Sequence, residues 1–175
     1  PPLLGVLLIA FFLHLGRWQL NRADEKRAIL AAAEAAPTLH WGEWQDAPAR
    51  YAQVSLSGRF DGQRHVLLDN QVLNGRPGVH VFTPFKLSPA ECPGRPCWVL
   101  VNRGWLALSA DRQLPDIPTP GEVINIRAQV NQPPQVGLRL GQQQALDSRH
   151  WPQLMTYLDP PLVAAAMNLS LPGSI

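Results

Sequence analysis

Two strand-like apolar runs of this chain are each interrupted by a polar phrase: Leu67-Leu68-Asp69-Asn70-Gln71, and Val101-Asn102-Arg103-Gly104-Trp105. Polar or charged groups in the middle of a sheet are costly to bury unless they pair. The phrases therefore restrict the chain to folds in which an internal hydrogen-bond network or a binding surface meets them. Asp69 and Arg103 fall mid-strand, and an Asp–Arg pair across neighbouring strands would satisfy both. Asn70, Gln71 and Asn102 are read in the same structural sense.

Around these phrases the pattern is that of a β domain. Val54, Leu56, Gly58 and Phe60 alternate with Ser55, Ser57 and Arg59, which puts the two sets on opposite faces. Asp61-Gly62 is a turn signal. Runs from His65 to Val72 and from Val79 to Leu87 flank Asn74-Gly75 and lead through Gly75-Arg76-Pro77-Gly78. Both Asn and Gly accept the left-handed backbone of a type I′ turn, so a hairpin is expected there, with Val79, Val81, Thr83 and Phe85 on one face. Further strands are predicted at Trp98 to Leu108, Val123 to Val130, Val136 to Leu140 and Leu154 to Leu158. A short helix should start with Asp159 as N-cap and Pro160 at the first helical position. It would carry Leu162, Val163, Ala166 and Met167, and end before Pro172.

No strand alternates with a long helix, which excludes a parallel Rossmann-type sheet. The chain has 18 prolines in 175 residues, roughly twice the usual share, and they cluster in short loops that suit many strands with abrupt connections. A formal net charge of +2 announces no basic face for nucleic acid. The expected class is α+β: a membrane-emergent N-terminal helix, a mainly antiparallel sheet or partly closed barrel, and a short C-terminal helix.

Leu3 to Leu15 is almost wholly apolar, shorter than the roughly 20 residues that cross a bilayer. It reads as one end of a transmembrane helix, a signal-peptide core or a buried helix. The run continues without a small-residue cleavage site into Arg17-Trp18-Gln19-Leu20-Asn21-Arg22, which favours the first reading. Trp18 to Glu34 holds good helix formers without Gly or Pro, and Pro37 ends the run. Trp18, Arg22 and Lys26 share one face, and Trp18 suits the headgroup level. Taken alone, the Lys and Arg after Leu15 suggest a cytoplasmic flank. The expected division is residues 1–36, a partial transmembrane helix running into a juxtamembrane helix, and residues 37–175, a β-rich domain.

Cys92 and Cys97 enclose Pro93-Gly94-Arg95-Pro96. In an oxidising compartment they are spaced for a disulfide closing a tight loop, whereas a metal site needs two more ligands and a redox pair prefers two intervening residues. Of His14, His40, His65, His80 and His150, no two have metal-ligand spacing. His14 alone sits in the apolar segment, where an ionisable group is a functional candidate, an axial haem ligand among the options. No nucleophile elbow, phosphate loop or useful carboxylate pair appears, so an enzyme is not expected.

Five ordered blocks resemble the surfeit-locus family of cytochrome c oxidase assembly proteins. They are Leu15-Gly16-Arg17-Trp18-Gln19-Leu20-Asn21-Arg22, Gly58-Arg59-Phe60 with Leu67 to Gln71, Gly75 to Gly78, Val81-Phe82-Thr83-Pro84-Phe85, and Val101 to Trp105. Trp18, Arg22, Asp69, Asn70, Arg76, Asn102, Arg103 and Trp105 match signature positions. The resemblance implies a bacterial inner-membrane protein with its main domain on the periplasmic side and a second transmembrane helix beyond Ile175. It implies assistance to oxidase subunit I, alongside other assembly factors, with haem a held transiently by a His outside this chain. His14, Arg22, Arg76 and Arg103 are the candidate haem or propionate contacts. In the competing structural role the signature residues stitch the sheet to the emergent helix. Two other functions are weighed: a scaffold for an assembly intermediate that binds no haem, and a thiol oxidoreductase using Cys92 and Cys97.

Overall fold

The computed structural model describes residues 2–35, 38–40, 50–92, 97–109, 111–133, 146–169 and 171. Trp41, Trp44 and the strand predicted at Val136 to Leu140 lie outside them. The chain divides into two units, Pro1–Pro37 and Thr38–Ile175.

The first unit is one helix, α1 (Pro2–Ala35), of 34 residues, about 51 Å long at the α-helical rise. No Pro interrupts it after Pro2, and no charge appears before Arg17. Its apolar side chains from Leu3 to Leu15 are exposed, so it is not the core helix of this chain. By length and composition it is able to cross a membrane.

The second unit is a seven-stranded mixed sheet with a short helix. Its strands are β1 (Thr38–His40), β2 (Gln53–Phe60), β3 (Val66–Leu73), β4 (Arg76–Leu87), β5 (Trp98–Ala107), β6 (Ile124–Gln129) and β7 (Gln153–Met155), followed by α2 (Pro160–Met167). The antiparallel pairs are β2–β4, β2–β6, β3–β4 and β4–β5. Two short parallel pairs, β1–β2 and β3–β7, join them. The sheet does not close into a barrel. β4 is its axis: β5 runs along one edge, while β3 and then β2 occupy successive stretches of the other.

The Asn-Gly hairpin forms as expected. Asn74 and Gly75 both take positive φ, 51° and 74°, and Leu73 pairs with Arg76 across the turn. β2 alternates as read, with Val54 and Leu56 buried and Arg59 exposed. β3 does not alternate: Val66, Leu67, Leu68 and Asp69 are all buried, because both faces of the sheet are covered here. On one face Val66, Leu68 and Phe82 pack with Met155, Val163 and Met167. On the other, Leu67, Val79 and Val81 meet Leu106, Leu108 and Ile117.

α2 is capped at both ends. The Asp159 carboxylate accepts from the Leu162 amide at 3.1 Å, and Asn168 closes the helix at φ 52°. Arg64 donates to the Met167 carbonyl at 2.6 Å and pairs with Asp61 at 2.6 Å, tying the β2–β3 turn to the end of the helix. The last strand is shorter and earlier than predicted. β7 stops at Met155, since Tyr157 and Leu158 lead into the α2 cap.

Candidate functional site

Both polar phrases are β-bulges, one on each side of β4. On β3, Leu68 pairs with His80 and Gln71 with Gly78, so Asp69 and Asn70 together face Val79. On β5, Asn102 pairs with Phe82 and Trp105 with His80, so Arg103 and Gly104 together face Val81. Asn70 (φ 60°) and Gly104 (φ 108°) supply the left-handed backbone that each extra residue requires. A bulge re-aims a side chain, which accounts for polar residues inside otherwise apolar strands.

The expected Asp69–Arg103 pair does not form. β3 and β5 lie on opposite edges of β4, so the two residues are separated by two strand spacings, about 9.6 Å. Asp69 instead accepts from Arg112, in the segment after β5. Arg103 donates to the Pro118 carbonyl at 2.7 Å and the Thr119 hydroxyl at 2.8 Å, and its guanidinium lies 5.1 Å from the centre of the Phe60 ring. Burial lowers the Arg103 pKa from its ordinary value, and the group remains a cation.

The other phrase residues find partners within the same network. Trp105 Nε1 donates to the Gln71 carbonyl at 3.1 Å, and the Gln71 side chain to the Asp69 carbonyl at 2.9 Å. Asn102 accepts from the Gly104 amide at 2.9 Å, holding the β5 bulge. Any Cβ on Gly78 would overlap the Trp105 ring and the Leu106 carbonyl, so the indole rests on bare backbone. Trp105 thereby bridges β5 to β3 across β4.

Beside this network lies a cavity of about 640 Å³. Its floor is apolar, with Val54, Leu56 and Phe60 from β2 and Val99 and Val101 from β5. Arg103 and Arg127 are the charged groups among its described lining residues, and no carboxylate joins them. Arg127 was not singled out from sequence. Its signal was the period-two pattern of β6, in which Asn125, Arg127 and Gln129 are exposed while Ile124, Ile126 and Ala128 are partly buried.

The four candidate haem contacts are not brought together at this cavity. Arg103 lines it; Arg76 stands exposed at the hairpin turn and does not. His14 and Arg22 are exposed residues of α1 in the other unit. The described lining residues include no His, Cys, Met or Tyr able to ligate iron. Their donor set fits carboxylates and not a haem iron. No group of three or more metal-ligating side chains occurs among the described residues.

Two further features bear on the site. Cys92 and Cys97 form a disulfide with Cα atoms 6.0 Å apart, closing the loop that links β4 to β5. His65 is buried, with Nδ1 2.9 Å from the Thr83 hydroxyl and Nε2 3.2 Å from the Gly62 carbonyl. Desolvation lowers its pKa, reinforced by the Arg103 charge and partly opposed by Gly62 and Asp61. It therefore sits neutral at pH 7.

The chain is similar to known proteins over much of its length. The model of the SURF1 family matches residues 6–174. A SURF1-like protein of Rickettsia felis is 32% identical over 109 residues, 58% of this chain and 45% of that protein. SURF1-like proteins of Rickettsia conorii and Rickettsia bellii are 28% and 30% identical over 106 and 108 residues, covering 41% and 42% of their own lengths. The matched stretch thus spans less than half of each of these relatives. No solved structure matches the chain.

Proposed function

The chain belongs to the SURF1 family, and on that premise we propose that it is a membrane-anchored assembly factor for cytochrome c oxidase. It acts by holding and positioning a partner, and breaks no bond. The observation that carries this reading is the cavity with Arg103 and Arg127. Arg103 is fixed on both sides by Phe60 and the Pro118-Thr119 segment, so little side-chain freedom is lost when a carboxylate meets it.

α1 supplies the anchor. The disulfide between Cys92 and Cys97 supports a domain on the periplasmic side of a bacterial inner membrane, since such bonds persist in oxidising compartments. The narrower role is maturation of oxidase subunit I by insertion of haem a. For it the cavity offers partners for propionates but no iron ligand among its described lining residues. That favours the scaffold version, in which a polypeptide of the assembly intermediate is held and any haem iron is ligated from elsewhere.

The test is complementation of a strain lacking the gene with the full-length protein. The reduced-minus-oxidised spectrum of haem a in washed membranes and the oxidase turnover are the readouts. Loss of oxidase in the null strain, restored by the protein, is expected. Unchanged oxidase in the null strain would overturn the proposal. A spectrum of the purified full-length protein then separates its two versions, stoichiometric ligated haem contradicting the scaffold one.

A further inference from the structure

The cavity is bounded by two strand edges that no described strand covers. The hydrogen-bond phase of each ladder shows where their backbone groups point. Leu87 donates to the Cys97 carbonyl at 3.0 Å, which makes that pair a hydrogen-bonded one. Alternation along the antiparallel ladder then makes Phe85/Val99 and Thr83/Val101 hydrogen-bonded pairs and leaves Lys86/Trp98, Pro84/Leu100 and Phe82/Asn102 as the intervening ones. Pro84, which has no N–H, falls in an intervening pair, as this phase requires. The N–H and C=O groups of Trp98, Leu100 and Asn102 therefore point away from β4.

The same reasoning applies to β6. Val130 donates to the Ala52 carbonyl at 2.9 Å, so the pairs two residues apart, Val54/Ala128, Leu56/Ile126 and Gly58/Ile124, are bonded across to β2. The backbone groups of Asn125, Arg127 and Gln129 point away from β2. Among the described strands β5 pairs with β4 alone and β6 with β2 alone. Leu100 and Asn102 from one edge and Arg127 and Gln129 from the other all line the cavity.

Sheet edges are ordinarily blunted by Lys, Pro or a covering segment. The β5 edge, Trp98-Val99-Leu100-Val101-Asn102, carries neither Lys nor Pro. A small amphiphile in the cavity would bury apolar surface and leave both rows of backbone groups with nothing to pair with. An extended polypeptide satisfies them. Arg103 and Arg127, with no acidic neighbour among the described lining residues, add a demand for negative charge on the occupant.

We propose that the groove between β5 and β6 is a strand-addition site that takes an extended partner segment of alternating apolar residues bearing an acidic side chain. The segment pairs with the β5 or β6 edge, seats its apolar side chains on Val54, Leu56 and Val101, and sets its carboxylate against Arg127 and Arg103. The site is a property of this domain and stands whether or not the partner is an oxidase subunit.

The experiment is hydrogen exchange on the full-length protein in detergent, read at the amides of Leu100, Asn102, Arg127 and Gln129. The probe is a blocked nonapeptide of alternating threonine and valine with a central glutamate. Three comparisons accompany it: the same peptide N-methylated at alternate amides, the peptide with glutamine at the centre, and laurate. Expected are exchange slowed about tenfold or more along one edge by the first peptide, no slowing by the N-methylated one, and about tenfold weaker binding by the glutamine form. Arg127→Glu, with unchanged Tm, should weaken the glutamate peptide in the same way. Three results would each overturn the proposal: amides already protected in the free protein, no slowing by the glutamate peptide, or equal binding by the N-methylated peptide. Laurate that binds and is not displaced by the glutamate peptide would assign the cavity to an amphiphile instead.

Discussion

Around β3 and the first half of β4 the sheet is covered on both faces, whereas along β5 and β6 two strand edges stand open on one cavity. The closed half has α2 on one face and Leu106, Leu108 and Ile117 on the other, and its polar residue Asp69 is answered by Arg112. The open half uses the same device, a bulge beside β4, to a different end. There the re-aimed residue is Arg103, pinned by neighbouring groups at the rim of the cavity. One bulge is spent on the interior and the other on a surface that meets a partner. The β5 bulge also ties the two halves together, because Trp105 reaches across β4 to Gln71.

The largest expected effect comes from breaking that tie. Gly78→Val should leave no stably folded domain, a loss above about 4 kcal/mol, because its side chain must occupy the space of the Trp105 ring and the Leu106 carbonyl. A near-native Tm and near-ultraviolet spectrum would show that the halves do not depend on that seat. Replacing Cys92 and Cys97 together by Ser should cost about 2 kcal/mol, the loop entropy of a short bridge, measured by urea titration. Because the loop joins β4 to β5, this variant should also speed exchange along β5 more than along β3. Uniform acceleration would mean that the halves unfold as one.

Within the closed half, a double-mutant cycle of Asp69→Ala and Arg112→Ala should give a coupling of about 1 kcal/mol, modest because Arg112 is half exposed. A coupling of zero would remove the pair from the account of that bulge. The mildest effect concerns His65. Burial holds its folded pKa below the ordinary value of 6.5, so the unfolded chain takes up a proton first as pH falls. Stability should be full above that value and decline below it, and His65→Gln should flatten the decline. A Tm that rises on acidification would show that the ring is charged in the folded state.

Locally specified features were legible in the sequence. Asn74-Gly75 announced its turn, the alternation of β2 announced its inward face, and Asp159-Pro160 announced the start of α2, because neighbouring residues decide each of these. The polar phrases were legible as needing partners, but the partners were not. Asp69 was matched with Arg103 because both lie mid-strand. Strand order, which puts β4 between them, is set by long-range packing that leaves no trace at either residue. β1 and β7, three residues each, are too short to carry a period and are held by parallel pairing to distant strands. The cavity was illegible for a related reason. Its walls come from β2, β5 and β6, and what makes it a candidate site is the backbone those strands leave unpaired.

The most direct measurement of the central claim compares the two halves in the cell. A strain lacking the gene would be complemented with full-length Arg127→Glu or with Arg112→Ala, at matched protein levels, and oxidase content read from the haem a difference spectrum of its membranes. The account predicts that Arg127→Glu, on the open half, keeps the wild-type Tm yet leaves oxidase near the level of the null strain. Arg112→Ala, on the closed half, should be less stable and still restore it. Full restoration by Arg127→Glu, with failure of Arg112→Ala at equal protein level, would contradict the assignment of the open half as the working surface.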